Sequence, residues 1–132
     1  MDTSYVLALF NTRDQWHSKA VQWQQNTANT KKVLMTSEFV LTEIGDGLSP
    51  ISLRLSGGKV IRTLRESSLV EVIPASSEWF NQGLELFETR TDKAWGLTDC
   101  TSFAIMREYG LTDALTTDDH FRQAGFNALL ID

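Results

Sequence analysis

Apolar residues recur every three or four positions over several stretches of this chain, a spacing that predicts amphipathic helices. Residues 13–28 show it through Trp16, Ala20 and Trp23, with Asp14 in the first turn, where the helix dipole favours an anion. A further helix is predicted from a cap at Thr36 or Ser37 to about residue 48, and others at residues 50–66, 76–90, 99–109 and 119–124. The pattern in residues 1–11 fits a short helix and a strand equally well.

Capping residues mark where these helices begin and end. Thr36 or Ser37 is expected to cap the second predicted helix, and Thr98 the helix that begins at residue 99. The pair Ser49-Pro50 is a typical helix start, whereas Gly57-Gly58 is expected to weaken or kink the helix that follows it. Gly110 is a typical helix stop.

Short apolar runs between the helices predict strands, and they fall at residues 33–35, 70–73, 114–117 and 128–131. Strands separated by helices imply parallel pairing with right-handed crossovers. The predicted fold class is therefore α/β with a short central parallel sheet, built as a single domain over residues 1–132. In the helix at 76–90 the candidate core residues are Trp79, Phe80, Leu84, Leu86 and Phe87.

Composition narrows the class of protein. Apolar residues make up 42% of the chain and charged residues 22%, as in an ordinary globular domain. Cys100 is the sole cysteine, which excludes an internal disulfide and a zinc motif and suits a reducing compartment such as the cytoplasm. No apolar run approaches the roughly 20 residues of a membrane helix, so no membrane association is expected. The net charge of −5 makes local basic patches, rather than the overall field, the expected means of contacting a nucleic acid.

Four acidic residues occupy positions typical of a hard-cation site. Asp2 stands near the start of the chain, Glu43 beside the apolar stripe of its helix, Asp99 at the mouth of a helix, and Asp118 directly after a predicted strand. Ligands of open parallel sheets collect beyond the carboxyl ends of the strands. Mg²⁺ and Mn²⁺ prefer oxygen ligands and keep several waters, so a carboxylate cluster of this kind predicts a metal-dependent nuclease.

The motifs around these acids resemble the PIN domain family, in order and spacing along the whole chain. They are Asp2-Thr3-Ser4, the helix of Glu43, Leu97-Thr98-Asp99, and Thr116-x-Asp118-x-x-Phe121 followed by Gly125. The best-known bacterial members are the toxin ribonucleases of VapC type. The resemblance implies a three-layer α/β/α fold and cleavage of single-stranded RNA with Mg²⁺ or Mn²⁺. It also implies a cognate antitoxin and a homodimer.

Carried over residue by residue, the resemblance makes Asp2, Glu43, Asp99 and Asp118 the acidic quartet of catalysis and metal binding. Asp2 and Asp99 are the implied direct metal ligands. Glu43 would bind the metal or orient a water, and Asp118 would complete the site or hold its water network.

Neighbouring residues receive supporting or neutral roles. The hydroxyls of Ser4 and Thr116 are candidates to fix the carboxylates, and Asp92 is a candidate auxiliary acid. Asp119 competes with Asp118 for the fourth acidic position, and the spacing to Phe121 favours Asp118. His120, beside that aromatic residue, is interpreted as a surface or packing residue rather than a catalytic base.

One departure from the family pattern concerns the first strand. The family normally places several apolar residues of a central strand before its first aspartate, whereas only Met1 precedes Asp2 here. Either the start lies upstream of Met1 or the strand is short. Two alternatives follow: a non-catalytic PIN-fold module that binds RNA or protein, and a receiver-like signalling domain, which the helical Glu43 and the late Asp118-Asp119 pair fit poorly.

Overall fold

The computed structural model describes residues 1–132 as seven α-helices and four short strands. The elements are α1 (Thr3–Phe10), α2 (His17–Asn29), β1 (Leu34–Ser37), α3 (Glu38–Gly47), α4 (Arg54–Glu66), β2 (Val70–Ile73), α5 (Ser77–Thr89), α6 (Leu97–Glu108), β3 (Asp113–Ala114), α7 (Asp119–Gln123) and β4 (Asn127–Ala128). Helices and strands alternate along most of the chain, which confirms the predicted α/β class. None of the helices combines the length and the apolar character needed to cross a membrane.

The strands form two parallel pairs, β1 with β2 and β3 with β4. Residues 1–2 lie between the pairs and bond to both. The Met1 amino group donates to the Met35 carbonyl at 2.8 Å, and the Asp2 N–H donates to the Leu115 carbonyl at 3.0 Å. The Thr36 hydroxyl also donates to the Met1 carbonyl. Residues 1–2 thus form a very short extended segment in the central position, where the family pattern places a longer first strand.

Two apolar clusters lie on opposite faces of this strand layer. Successive side chains of a strand point to opposite faces, and here Ala114 belongs to one cluster and Leu115 to the other. The first cluster packs α1, α2 and α3 around residues such as Ile44. The second is centred on Phe103 of α6, which meets Trp95, Phe121 and Phe126. This arrangement is the predicted three-layer architecture.

Local bonds explain why several helices begin where they do. Of the two predicted candidates, Thr36 and Ser37, it is Ser37 that caps α3, by accepting the Val40 N–H at 3.2 Å. The prediction that Thr98 caps the next-to-last helix is wrong, because α6 begins at Leu97 after Gly96. The Gly96 N–H donates to the Asp99 carboxylate at 3.2 Å, and this bond starts the helix two residues early.

Several other helices and strands are shorter than predicted. The helix expected at 13–28 begins only at His17, because the Asp14 carboxylate accepts the Trp16 N–H and closes a turn. The helix expected at residue 50 begins at Arg54, because the Pro50 carbonyl accepts N–H groups in a preceding turn. The last two strands contain two residues each rather than four, and the chain turns directly after β4.

Gly57 of α4 and Gly83 of α5 mark close packing contacts rather than weak points. The helix α4 runs without a break through Gly57, whose backbone packs against Leu48, so the predicted kink is absent. On α5, Gly83 packs against Thr101 of α6. The helix α5 packs mainly against α6, on the side that carries Gly83. Phe80 and Phe87 therefore remain 42% and 47% exposed, and their assignment to the core is wrong.

We expect Gly83→Ala to destabilise the protein by about 1–3 kcal/mol, the range for overpacking a filled site. An added Cβ would lie 2.6 Å from Thr101 Cγ2 and 3.0 Å from the Thr101 backbone nitrogen, so α5 and α6 would have to separate. The matched control is Gly58→Ala on α4, where a Cβ meets nothing within 4 Å. The control should gain up to about 1 kcal/mol from helix propensity, and urea unfolding of both variants measures the difference. Equal effects would contradict the close contact.

Candidate active site

Asp2 is buried at the junction between the central extended segment and α1, and its side chain is held by hydroxyl groups. Its Oδ2 accepts hydrogen bonds from Ser4 Oγ and from Thr116 Oγ1, each at 2.8 Å, and the Ser4 N–H lies at 3.4 Å. All these donors meet one carboxylate oxygen, which leaves Oδ1 without a hydrogen bond from the protein. Asp2 is therefore fixed in orientation and still offers a free oxygen.

Asp99 lies in the first turn of α6, with a side chain only 13% exposed. Its Oδ2 accepts the Gly96 N–H and lies 3.2 Å from His120 Nδ1. Burial raises the pKa of Asp99 to about 6; the hydrogen bond with His120 opposes this rise, and the negative charges of Asp2 and Asp118 add to it. The three carboxylates are thus close enough to repel one another.

Asp118 follows β3 and caps α7, where its Oδ1 accepts the His120 N–H at 2.9 Å. Its own N–H donates to Thr116 Oγ1 at 3.0 Å. Thr116 therefore contacts both Asp2 and Asp118, and Ser4 strengthens the link by accepting the Thr117 N–H. The hydroxyls of Ser4 and Thr116, which were predicted to fix the carboxylates, thus connect Asp2 with the segment that carries Asp118.

His120, interpreted from the sequence as a surface or packing residue, lies beside the carboxylates. One ligand atom each from Asp99, Asp118 and His120 lies within 4.8 Å of the other two. Residue type gave no reason to choose this histidine over His17, whose Nδ1 contacts the Ala8 carbonyl elsewhere. The available signal was its position two residues after Asp118 on a short helix, which returns the ring towards the carboxylate.

Two other predicted acids are placed differently. Glu43 lies half-buried on α3, and its carboxylate makes no hydrogen bond or salt bridge with the rest of the protein. Asp92 is 61% exposed and pairs with Arg90 at 3.0 Å, away from the carboxylate cluster. The structure therefore brings Asp99 and Asp118 together, links Asp2 to Asp118 through Thr116, and leaves Glu43 and Asp92 outside this hydrogen-bond network.

A cavity of about 480 Å³ lies elsewhere in the fold. It is lined mainly by apolar side chains of α1, α2 and α4, and includes none of the acidic residues. The chemistry of the carboxylate cluster is quite different, because it combines several anionic oxygens with one imidazole nitrogen. Oxygen-rich sets of this kind suit Mg²⁺ or Mn²⁺, and a bound cation would relieve the repulsion among the carboxylates.

Comparisons with known proteins agree with this geometry. A family model described as the PIN domain matches residues 1–127. The 23S rRNA-specific endonuclease VapC20, from two strains of Mycobacterium tuberculosis, is 30% identical over 129 residues; the match covers 96% of this chain and 93% of VapC20.

A solved structure gives the same result in three dimensions. The crystal structure of Mycobacterium tuberculosis VapC20, described as a sarcin-ricin loop cleaving toxin, superimposes with a TM-score of 0.81 at 29% identity. The match covers 95% of this chain and 93% of that chain. Family model, sequence and structure agree over nearly the full length, and the chain belongs to the PIN domain family.

Proposed function

We propose that this protein is a metal-dependent endoribonuclease of the VapC toxin type that cleaves single-stranded RNA. The observation that carries the proposal is the convergence of Asp2, Asp99 and Asp118, whose mutual repulsion contributes to the raised pKa of Asp99. A site that only stabilised the fold would gain nothing from clustering like charges. A divalent cation, Mg²⁺ or Mn²⁺, compensates for that cost.

The acidic residues hold the cation in this proposal. Asp2 through its free Oδ1 and Asp99 are the direct ligands, and Asp118 completes the site. Glu43 acts from α3 by orienting a water or by closing onto the cation. Asp119 is a poorer candidate than Asp118, because its side chain is 60% exposed and bonds to Arg122 and Gln123.

When bound, the cation supplies positive charge at the scissile phosphate and activates a water for attack on phosphorus. The protein's own contribution is orientation. Ser4 and Thr116 are neutral donors, so they fix the Asp2 carboxylate without cancelling the charge that attracts a cation. The buried position of Asp99 adds to this effect, because charge interactions are stronger where water is excluded.

RNA is the proposed substrate, and the relatives suggest its class. VapC20 acts on 23S rRNA, so a loop of ribosomal RNA is the first substrate to test. The protein is acidic overall, and an RNA backbone needs a local basic surface. The exposed residues Arg54, Lys59, Arg62 and Arg65 on α4 provide such a surface.

Two protein partners belong to the same proposal. VapC-type toxins pair with antitoxins, and a cognate antitoxin would block the carboxylate site or the basic surface. A homodimer is supported by the half-exposed Phe80 and Phe87 on α5, since exposed aromatic side chains are typical of interfaces.

We expect Asp99→Asn to lower the rate of RNA cleavage by at least about 100-fold, because loss of a ligand costs more than the 10–100-fold typical of outer partners. The substitution keeps the shape of the side chain and removes one charge. Cleavage of labelled RNA with Mn²⁺ or Mg²⁺, compared with EDTA, measures the effect. The matched control is Asp119→Asn, which removes an exposed acid and should cleave normally.

A fully active, folded Asp99→Asn protein would contradict the assignment. Cation binding without cleavage of any RNA, by wild type and control alike, would favour the non-catalytic binding module.

We expect Thr116→Val to lower Mn²⁺ affinity by roughly 10–100-fold, the usual effect of removing a group that orients a metal ligand. The substitution keeps the side-chain shape and removes the hydroxyl that contacts both Asp2 and Asp118. Thr117→Val is the control, because the Thr117 hydroxyl makes no hydrogen bond, and Thr116→Ser should restore binding. Titration calorimetry gives the affinities, and a normal value for Thr116→Val would exclude a positioning role.

Asp99 should make the metal-free protein less stable as the pH rises. Its pKa of about 6 in the folded state exceeds the ordinary value of 3.8, so folding takes up a proton between these values. The contribution of Asp99 to the free energy of unfolding is fully present below the pKa of the unfolded state, 3.8, and is lost as the pH rises through the pKa of the folded state, about 6. We therefore expect the stability gained by Asp99→Asn to increase between about pH 4 and about pH 7. Urea unfolding across this range measures it, and a difference independent of pH would contradict the raised pKa.

A further inference from the structure

We propose that His120 Nδ1 is itself a ligand of the cation held by Asp99 and Asp118, and that it makes the site prefer Mn²⁺ to Mg²⁺. The inference rests on the proposed function, since it assigns a further ligand to the same cation site. It concerns the one side chain near the carboxylates that offers nitrogen instead of oxygen. The family resemblance gave this residue no role.

The distances fit adjacent ligands of one ion. His120 Nδ1 lies 3.2 Å from Asp99 Oδ2 and 3.4 Å from Asp118 Oδ1. A six-coordinate ion with bonds of about 2.1 Å places neighbouring ligand atoms about 3.0 Å apart. Shifts of a few tenths of an ångström would bring the two carboxylate oxygens to that spacing from Nδ1, and all three ligand atoms already lie within 4.8 Å of one another.

The same distances fit a purely structural contact less well. Hydrogen bonds between a charged nitrogen donor and a carboxylate are typically about 2.7–2.9 Å long. Both contacts of Nδ1 are longer, and one N–H cannot point directly at two carboxylates. The 3.2 Å contact with Asp99 is within hydrogen-bond range, whereas the 3.4 Å contact with Asp118 is beyond it, so a hydrogen bond explains at most one of the two contacts. An ion shared by the three groups would explain both.

The backbone holds the ring in this position. The His120 N–H donates to Asp118 Oδ1 in the first turn of α7, and the following residue, Phe121, is buried against Phe103. The His120 Nε2 atom has no hydrogen-bond partner in the protein. The neutral ring can therefore carry its proton on Nε2 and present the Nδ1 lone pair to an ion between the carboxylates.

A nitrogen ligand changes which ion binds best. Mg²⁺ is a hard cation that requires near-ideal octahedral oxygen coordination. First-row transition ions tolerate imidazole nitrogen beside carboxylates, and Mn²⁺ is the one that also keeps a strong preference for oxygen. Carboxylates with a single imidazole therefore favour Mn²⁺ over Mg²⁺.

The test uses Mn²⁺ alone as the probe, bound to the full chain without RNA. Pulsed electron paramagnetic resonance detects nitrogen coordinated to Mn²⁺, and calorimetry gives the affinities for Mn²⁺ and Mg²⁺. The variants are His120→Gln and, as the matched control, His17→Gln, since the chain has only these two histidines. Glutamine keeps a donor able to reach Asp99 but lacks a ring nitrogen. Asp99→Asn checks that the ion occupies this site.

We expect nitrogen coupling in wild type and in His17→Gln, and none in His120→Gln. His120→Gln should weaken Mn²⁺ binding by at least about 100-fold, because loss of a ligand costs more than the 10–100-fold typical of outer partners, with a smaller change for Mg²⁺. Mn²⁺ that binds through Asp99 but shows no nitrogen coupling would overturn the inference and leave the proposed nuclease intact. An unchanged ratio of the two affinities in His120→Gln would also overturn it. Failure of Mn²⁺ to bind at all would overturn both the inference and the proposed cation site.

Discussion

The fold depends on the hydrogen bonds that seat residues 1–2 between the two strand pairs. Met1 bonds to Met35 on one side and Asp2 bonds to Leu115 on the other. A two-stranded pair is marginal by itself, so the pairs gain stability by being joined. The same bonds place the Asp2 side chain beside Thr116, one residue after Leu115. The same hydrogen bonds therefore join the strand pairs and position the Asp2 side chain.

Hydrogen bonds hold the carboxylates of the site in fixed orientations although their negative charges repel one another. Burial raises the pKa of Asp99 most, and the negative charges of Asp2 and Asp118 add to that rise. The groups that hold these carboxylates are mainly neutral: two hydroxyls, backbone N–H groups and a histidine. Arg and Lys side chains take no part. The charge that would draw in a divalent cation is thus preserved, at some cost to the stability of the metal-free fold.

The apolar cores keep the pieces of the site in register. Phe121 follows His120 on α7 and packs edge-on against Phe103 of α6, with ring centroids 4.9 Å apart. This contact ties the helix that carries Asp118 and His120 to the helix that carries Asp99. Five residues of α7 could not hold such a position alone, because isolated helices that short are unstable in water.

The sequence by itself determined the α/β class, most of the helices, a cap of α3 at Thr36 or Ser37, and the motifs of Asp2, Asp99 and Asp118. These features are set by local spacing and by side chains that bond to their own neighbourhood. Only the tertiary structure decided the rest. Gly83 is closely packed because Thr101 of α6 lies against it, and Phe80 stays exposed because α5 packs mainly against α6. His120 also lies beside Asp99 because α7 packs against α6, and contacts between such distant segments are not encoded by local spacing.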